Sequence, residues 1–174
     1  YCNLDAVLKR EFKNLNQSFL PVQQINEFRM KDAITLVVVN GAFSAALSDK
    51  MVIRGLHLQT FSELDESAKN KIATLANVDS DAFVALNTAF CSNGFYLRVE
   101  RGAAIPMPVH VIYVNTAEGE ALVNTRNFIE LEEGAELQLI EEQVQIGSGK
   151  IFSNFLSEKL VRSEEHTSEL QSRG

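Results

Sequence analysis

Tryptophan is absent from this 174-residue sequence, and cysteine, proline and histidine are scarce, at two, three and three. Cys2 and Cys91 stand too far apart for a disulfide framework or a paired-cysteine zinc site, so a reducing, cytoplasm-like compartment is expected. Positive charge is also short. Sixteen Lys and Arg against 23 Asp and Glu leave a formal charge of -7, which argues against the clustered basic face that a nucleic acid requires. The longest apolar run, Ile34–Val39, is interrupted by Thr35 and falls far short of the ~20 residues needed to span a bilayer. Lys9, Arg10 and Glu11 occupy the region where a signal peptide would carry its apolar segment. The chain opens on Tyr1 instead of Met, and the protein is expected to begin upstream of it. Glycine-rich phosphate loops, nucleophile elbows, HExxH and CxxC motifs are all missing.

What is present is 45% hydrophobic residues, enough for one good core or for a small domain and part of another. Leu4, Val7, Leu8 and Phe12 share one face of a predicted short helix over Tyr1–Phe12. Asn14–Asn26 reads as a polar loop limited by Pro21. The β-branched run Ile34–Asn40 meets Gly41 in an Asn-Gly hairpin signal, with a short return strand over 43–48 and another strand over Met51–Leu58. His57 alternates with Leu56 and Leu58, which places it on the solvent side. Ser62 and Asp65 resemble a capping box for a helix to about Leu75, whose buried stripe is Leu64, Ala68, Ile72 and Leu75.

The chain turns on the stretch Ser80–Asn115. It begins as an apolar helix with Phe83, Leu86 and Phe90 at helical spacing, capped by Asp79 or Ser80, and breaks at Ser92-Asn93-Gly94. Two strand-like runs follow, Phe95–Val99 and His110–Val114, around a bend at Gly102, Pro106 and Pro108. Beyond it only strand patterns remain: Ala121–Leu131, Ala135–Val144 and Ile151–Val161. Val99-Glu-Arg-Gly102-Ala is similar to Leu131-Glu-Glu-Gly134-Ala. A strand, glycine turn and strand that recur suit a stacked β-solenoid, though an antiparallel meander fits nearly as well. In either case Leu131, Ala135, Leu137 and Leu139 point one way and Glu130, Glu132, Glu136 and Gln138 the other.

Candidate chemistry is thin. Cys91 ends the apolar helix and reads as a buried structural thiol. Gly102 to His110 resembles the first metal motif of cupins, but Pro108 stands where the first histidine belongs and no Glu follows His110 at the needed spacing. One histidine cannot hold a divalent metal. Glu130, Glu132, Glu133, Glu141 and Glu142 could supply an acid–base pair, as in polysaccharide-cleaving β-helix enzymes, but runs of Glu on alternating strands read as solubilising faces. No catalytic, cofactor-binding or metal residue is assigned.

The last stretch, from Arg162, lacks apolar periodicity. It matches, in one reading frame, the translation of a widely used DNA sequencing adapter. Residues 162–174, with His166, are therefore read as an artefactual tail, expected to be disordered and excluded from fold reasoning.

The ordered blocks Asp81–Phe90 with Asn87-Thr-Ala-Phe90, Gly94-Phe-Tyr-Leu-Arg-Val-Glu-Arg-Gly102, Pro108-Val-His-Val-Ile-Tyr-Val114 and Arg126-Asn-Phe-Ile-Glu-Leu-Glu-Glu-Gly134-Ala resemble the SufB/SufD family. The hairpin Leu36–Ser44 and the opening Tyr1-Cys-Asn-Leu4 are more similar to the SufD type. The resemblance covers Tyr1–Val161. It implies an α+β N-terminal domain over 1–93, then the first coils of a right-handed parallel β-helix over 94–161. It also implies a non-enzymatic scaffold that works with a SufB-like paralogue and a SufC-like ATPase to assemble iron–sulfur clusters, ATP being hydrolysed on SufC. The SufB and SufC contact regions and the cluster-related residues of the family lie beyond Val161, so no cofactor is expected in this stretch. The alternative is a β-helix or cupin-like carbohydrate-active enzyme.

Overall fold

The computed structural model describes residues 9–12, 20–50, 52–79 and 81–163. Among the described residues, eight strands and three short helices make a mixed α/β fold of two four-stranded mixed sheets. The helices are α1 (Val22–Asn26), α2 (Glu66–Lys69) and α3 (Ala82–Phe90). The strands are β1 (Ile34–Val39), β2 (Ala42–Phe43), β3 (Leu56–Thr60), β4 (Gly94–Val99), β5 (Val109–Thr116), β6 (Glu120–Leu131), β7 (Leu139–Ile146) and β8 (Lys150–Val161). One sheet has the order β2-β1-β5-β7 and the other β3-β4-β6-β8.

Two antiparallel pairs, β1–β2 and β3–β4, lie at one end of the sheets, and every other pairing is parallel. From β4 onward each strand crosses to the opposite sheet from the one before. Val99 lies opposite Leu131 in β4–β6, Val109 opposite Leu139 in β5–β7 and Leu131 opposite Val161 in β6–β8. The strands of 34–60 are hydrogen-bonded to those of 94–116 in both sheets.

Period-2 alternation fixes what each sheet buries. Leu36 and Val38 of β1, Leu97 and Val99 of β4, Val111 and Tyr113 of β5 and Ile129 of β6 meet between the sheets. The reverse side of β1 and β5 packs Val37, Val39, Ile112 and Val114 against Leu20 and Ile25 of the α1 region. The reverse side of the second sheet packs Tyr96 and Phe128 against Leu64 and Ala68. Both faces of β1, β4 and β5 are thus covered, which explains their nearly unbroken apolar runs.

The glycine repeat is one turn used twice. Gly102 and Gly134 have φ of 66° and 68°, in the left-handed region where Cβ is disfavoured. Ala103 N donates to Glu100 O at 3.0 Å, and Ala135 N donates to Glu132 O at 2.9 Å. Gly102 N in turn donates to Glu133 O, so the second turn stacks on the first. The Asn40-Gly41 hairpin also forms, with positive φ at both residues.

Several boundaries differ from the sequence pattern. Asn14–Asn26 reads as loop, but Val22–Asn26 is helical. Pro21 sits as its N-cap, where a missing N–H costs nothing. A helix over 62–75 is reduced to Glu66–Lys69. Its cap is Asp65, which accepts from Ala68 N at 2.8 Å, and Ala73 with φ of 67° stops any extension. The strand read over Met51–Leu58 begins only at Leu56, after a turn, and runs to Thr60. The return strand read over 43–48 forms only as Ala42–Phe43, antiparallel to β1; beyond it Ser48 folds back so that its Oγ accepts from Val37 N. The alternation of Leu131, Ala135, Leu137 and Leu139 holds, all four being partly buried against the core, but regular pairing over 135–144 starts only at Leu139. The helix over Tyr1–Phe12 falls mostly outside the described residues, as do residues 164–174 of the adapter-like tail.

Candidate functional site

The outer face of the β3-β4-β6-β8 sheet carries a groove of about 750 Å³ between the α2 segment and the stacked glycine turns. Alternation supplies its floor. Residues that face away from the core at the ends of neighbouring strands are His57, Tyr96, Arg98, Glu130 and Glu132, and Asp65 and Lys71 come in from the α2 side.

Glu130 lies at the centre, 1% exposed. It is not the solvated carboxylate that the Glu-rich pattern suggests. Its Oε2 accepts from Lys71 Nζ at 2.7 Å and from the Tyr96 hydroxyl, while Arg162 reaches Oε1 with Nε at 3.1 Å and Nη2 at 2.9 Å. Burial raises the pKa of Glu130, but the hydrogen bonds from Lys71, Tyr96 and Arg162 outweigh it and the net shift is downward. Burial and the Glu130 carboxylate together push the Tyr96 phenol well above its ordinary value. Beside them, Glu132 takes Arg98 Nε at 2.7 Å and Arg101 N at 3.0 Å. The Arg98 bond is the main reason its pKa is lowered. Arg101 Nη2 reaches Glu133 at 2.7 Å.

A second polar cluster lies nearby under α3. Asn87, fully buried, donates to Thr125 O at 3.0 Å and Asn154 O at 2.9 Å and so ties the helix to β6 and β8. Thr88 Oγ1 accepts from Arg126 Nη1, and Arg126 Nε reaches Glu158 at 2.7 Å. The same Glu158 carboxylate accepts from the backbone N–H of Ala73, Leu75 and Ala76. Burial raises its pKa, and the bonds from Arg126, Leu75 and Ala73 more than reverse that, leaving it lowered.

Of the residues weighed from the sequence, His57, Glu130, Glu132 and Glu133 line this groove, whereas Cys91, His110, Glu141 and Glu142 do not. His57 is half exposed on β3, its Nε2 2.7 Å from Glu100, whereas His110 is buried on β5 in the other sheet, its Nε2 3.0 Å from Glu142. Cys91 is partly buried with Sγ 3.1 Å from Asn93 O, and burial pushes its thiol up, as for a structural thiol. Among the described residues, no three His, Cys, Asp or Glu side chains group as a metal site. Sequence reasoning missed both clusters. The available signal was Tyr96-x-Arg98 and Glu130-x-Glu132, 34 residues apart and so close to the 32-residue glycine repeat.

These features define a mixed α/β protein of two packed sheets, in which buried carboxylates fasten irregular outer segments to one sheet. The family model described as the SufBD protein N-terminal region matches residues 1–111, and the chain belongs to that SufB/SufD family. No curated protein matches the chain. No helix among the described residues is long and apolar enough to cross a membrane. Family membership gives the chain a place in Suf iron–sulfur cluster assembly.

Proposed function

We propose that the chain is the N-terminal part of a SufD-type subunit, a non-enzymatic scaffold on which a Suf complex assembles iron–sulfur clusters in the cytoplasm. The observation that carries this reading is the SufBD N-terminal match over residues 1–111. The hairpin Leu36–Ser44 favours the SufD type over the SufB type. Residues 1–93 act as a cap, and residues 94–161 open a right-handed parallel β-helix. The crossing of successive strands between sheets and the stacked turns at Gly102 and Gly134 support that geometry. The partners are a SufB-like paralogue and a SufC-like ATPase, which hydrolyses the ATP; the cluster is cargo handled by the assembled complex.

The experiment is co-purification of the complete reading frame with a SufC-like ATPase and a SufB-like paralogue. Retention of both supports the scaffold, and the present 174-residue chain alone is expected not to retain the ATPase. Failure of the complete protein to hold either partner, or turnover of ATP or an oligosaccharide by the purified subunit alone, overturns it.

A further inference from the structure

The groove on the outer face of the second sheet holds more hydrogen-bonding capacity than the protein itself uses, and most of the surplus is guanidinium N–H. Its two innermost carboxylates are spent. Both oxygens of Glu130 are taken by Lys71, Tyr96 and Arg162, and both oxygens of Glu132 by Arg98 Nε and Arg101 N. The cations are not. A guanidinium carries five N–H donors in a fixed fork. Arg98 uses only Nε and keeps both terminal nitrogens. Arg101 uses only Nη2 and keeps Nε and Nη1.

Exposure follows the same division. The side chains of Glu130, Glu132 and Glu133 are 1%, 25% and 29% exposed, and those of Arg98 and Arg101 40% and 71%. The acids therefore act as a ledge that holds the guanidinium groups in place and leaves their remaining donors on the groove side. The volume of about 750 Å³ lies within the range of small-molecule sites, roughly 300–1,000 Å³.

We propose that this groove binds a phosphorylated small molecule, its phosphate oxygens bridging the free N–H groups of Arg98 and Arg101 with Lys71 at the inner end. An acceptor-only dianion matches the unused guanidinium donors, and paired forks suit phosphate geometry. Arg162 aside, the three cations Lys71, Arg98 and Arg101 face the four acids Asp65, Glu130, Glu132 and Glu133, so attraction is short-ranged and not the field of a basic patch. Arg162 belongs to the adapter-like stretch and is not part of the assigned set. This inference stands apart from the Suf assignment and does not depend on it.

Titration of the full chain with inorganic pyrophosphate, followed by calorimetry and by phosphorus NMR, tests it. Saturable one-site binding is expected. Arg98→Gln and the more exposed Arg101→Gln should each weaken it about tenfold, the scale of one charge-assisted hydrogen bond. Circular dichroism and the Tm of Arg101→Gln should match the parent. Absence of saturable binding, unchanged affinity in both arginine variants, or citrate binding as tightly as pyrophosphate would each overturn the proposal.

Discussion

Arg126 and Glu158 meet at 2.7 Å with both side chains only 2% exposed. They sit on neighbouring parallel strands, and the carboxylate also takes three backbone N–H groups from residues 73–76. One acid therefore neutralises a buried guanidinium and closes a turn that has no helix or sheet of its own.

Glu158→Ala strands the Arg126 charge and unpairs those N–H groups at once. Breaking a buried pair by removing one partner costs about 3–5 kcal/mol, so urea denaturation should show a loss on that scale. A loss under about 1 kcal/mol, as for an exposed pair, would mean that the site relaxes or hydrates freely.

Acid should destabilise the fold through the same groups. The carboxyls of Glu130, Glu132 and Glu158 all have lowered pKa values in the folded chain. A depressed carboxyl contributes stability that is fully present above its unfolded value, about 4.3, and is lost as pH falls through the lower folded value. Tm should therefore be flat from pH 7 to about 5 and fall steeply below about 4. Glu158→Gln should start lower and show a shallower acid decline; an unchanged slope would remove Glu158 from the account.

Asn87 should matter more than an exposed helix residue at the same place. Its amide bridges the carbonyls of Thr125 and Asn154, and Asn87→Ala leaves both without that donor in a buried site. The expected cost is about 2–4 kcal/mol from two lost bonds. Ala85→Ser on the exposed side of α3 should stay within about 0.5 kcal/mol. Equal effects in thermal melts would count against the bridge.

Gly94 starts β4 where its backbone runs against β6. A Cβ placed there would lie 1.7 Å from Arg126 O, a backbone atom that cannot swing aside. Gly94→Ala should force the two strands apart and cost about 1–3 kcal/mol or more, the range for overpacking. Gly119→Ala, which would meet nothing within 4 Å, is the matched control. Comparable Tm values for the two variants would show that the strand start is looser than the close approach implies.

The strands were readable because their alternation is buried on at least one face, and the Gly102/Gly134 resemblance marked the repeating turn before any pairing was known. The outer segments were not readable. Residues 62–75 carry helical spacing, yet their apolar groups Leu64, Ala68 and Ile72 are satisfied against Tyr96, Phe128 and Leu160. The rest of that segment is held by side chains 59 to 85 residues further on, Glu130 and Glu158, which no local window contains. For the same reason Glu130 looks like a solubilising residue in the sequence and is buried in the fold. The block Asn87-Thr-Ala-Phe90 labelled the family, and its first two residues prove to be contacts of α3 to the sheet.

The Glu158 anchor has a consequence for exchange with solvent. The N–H groups of Ala73, Leu75 and Ala76 lie in turns, where amides ordinarily exchange at the rate of local fraying. Each is bonded to a carboxylate seated on a twelve-residue strand. Their protection is borrowed from β8, so in deuterium these turn amides should open with the sheet and not with the segment that contains them.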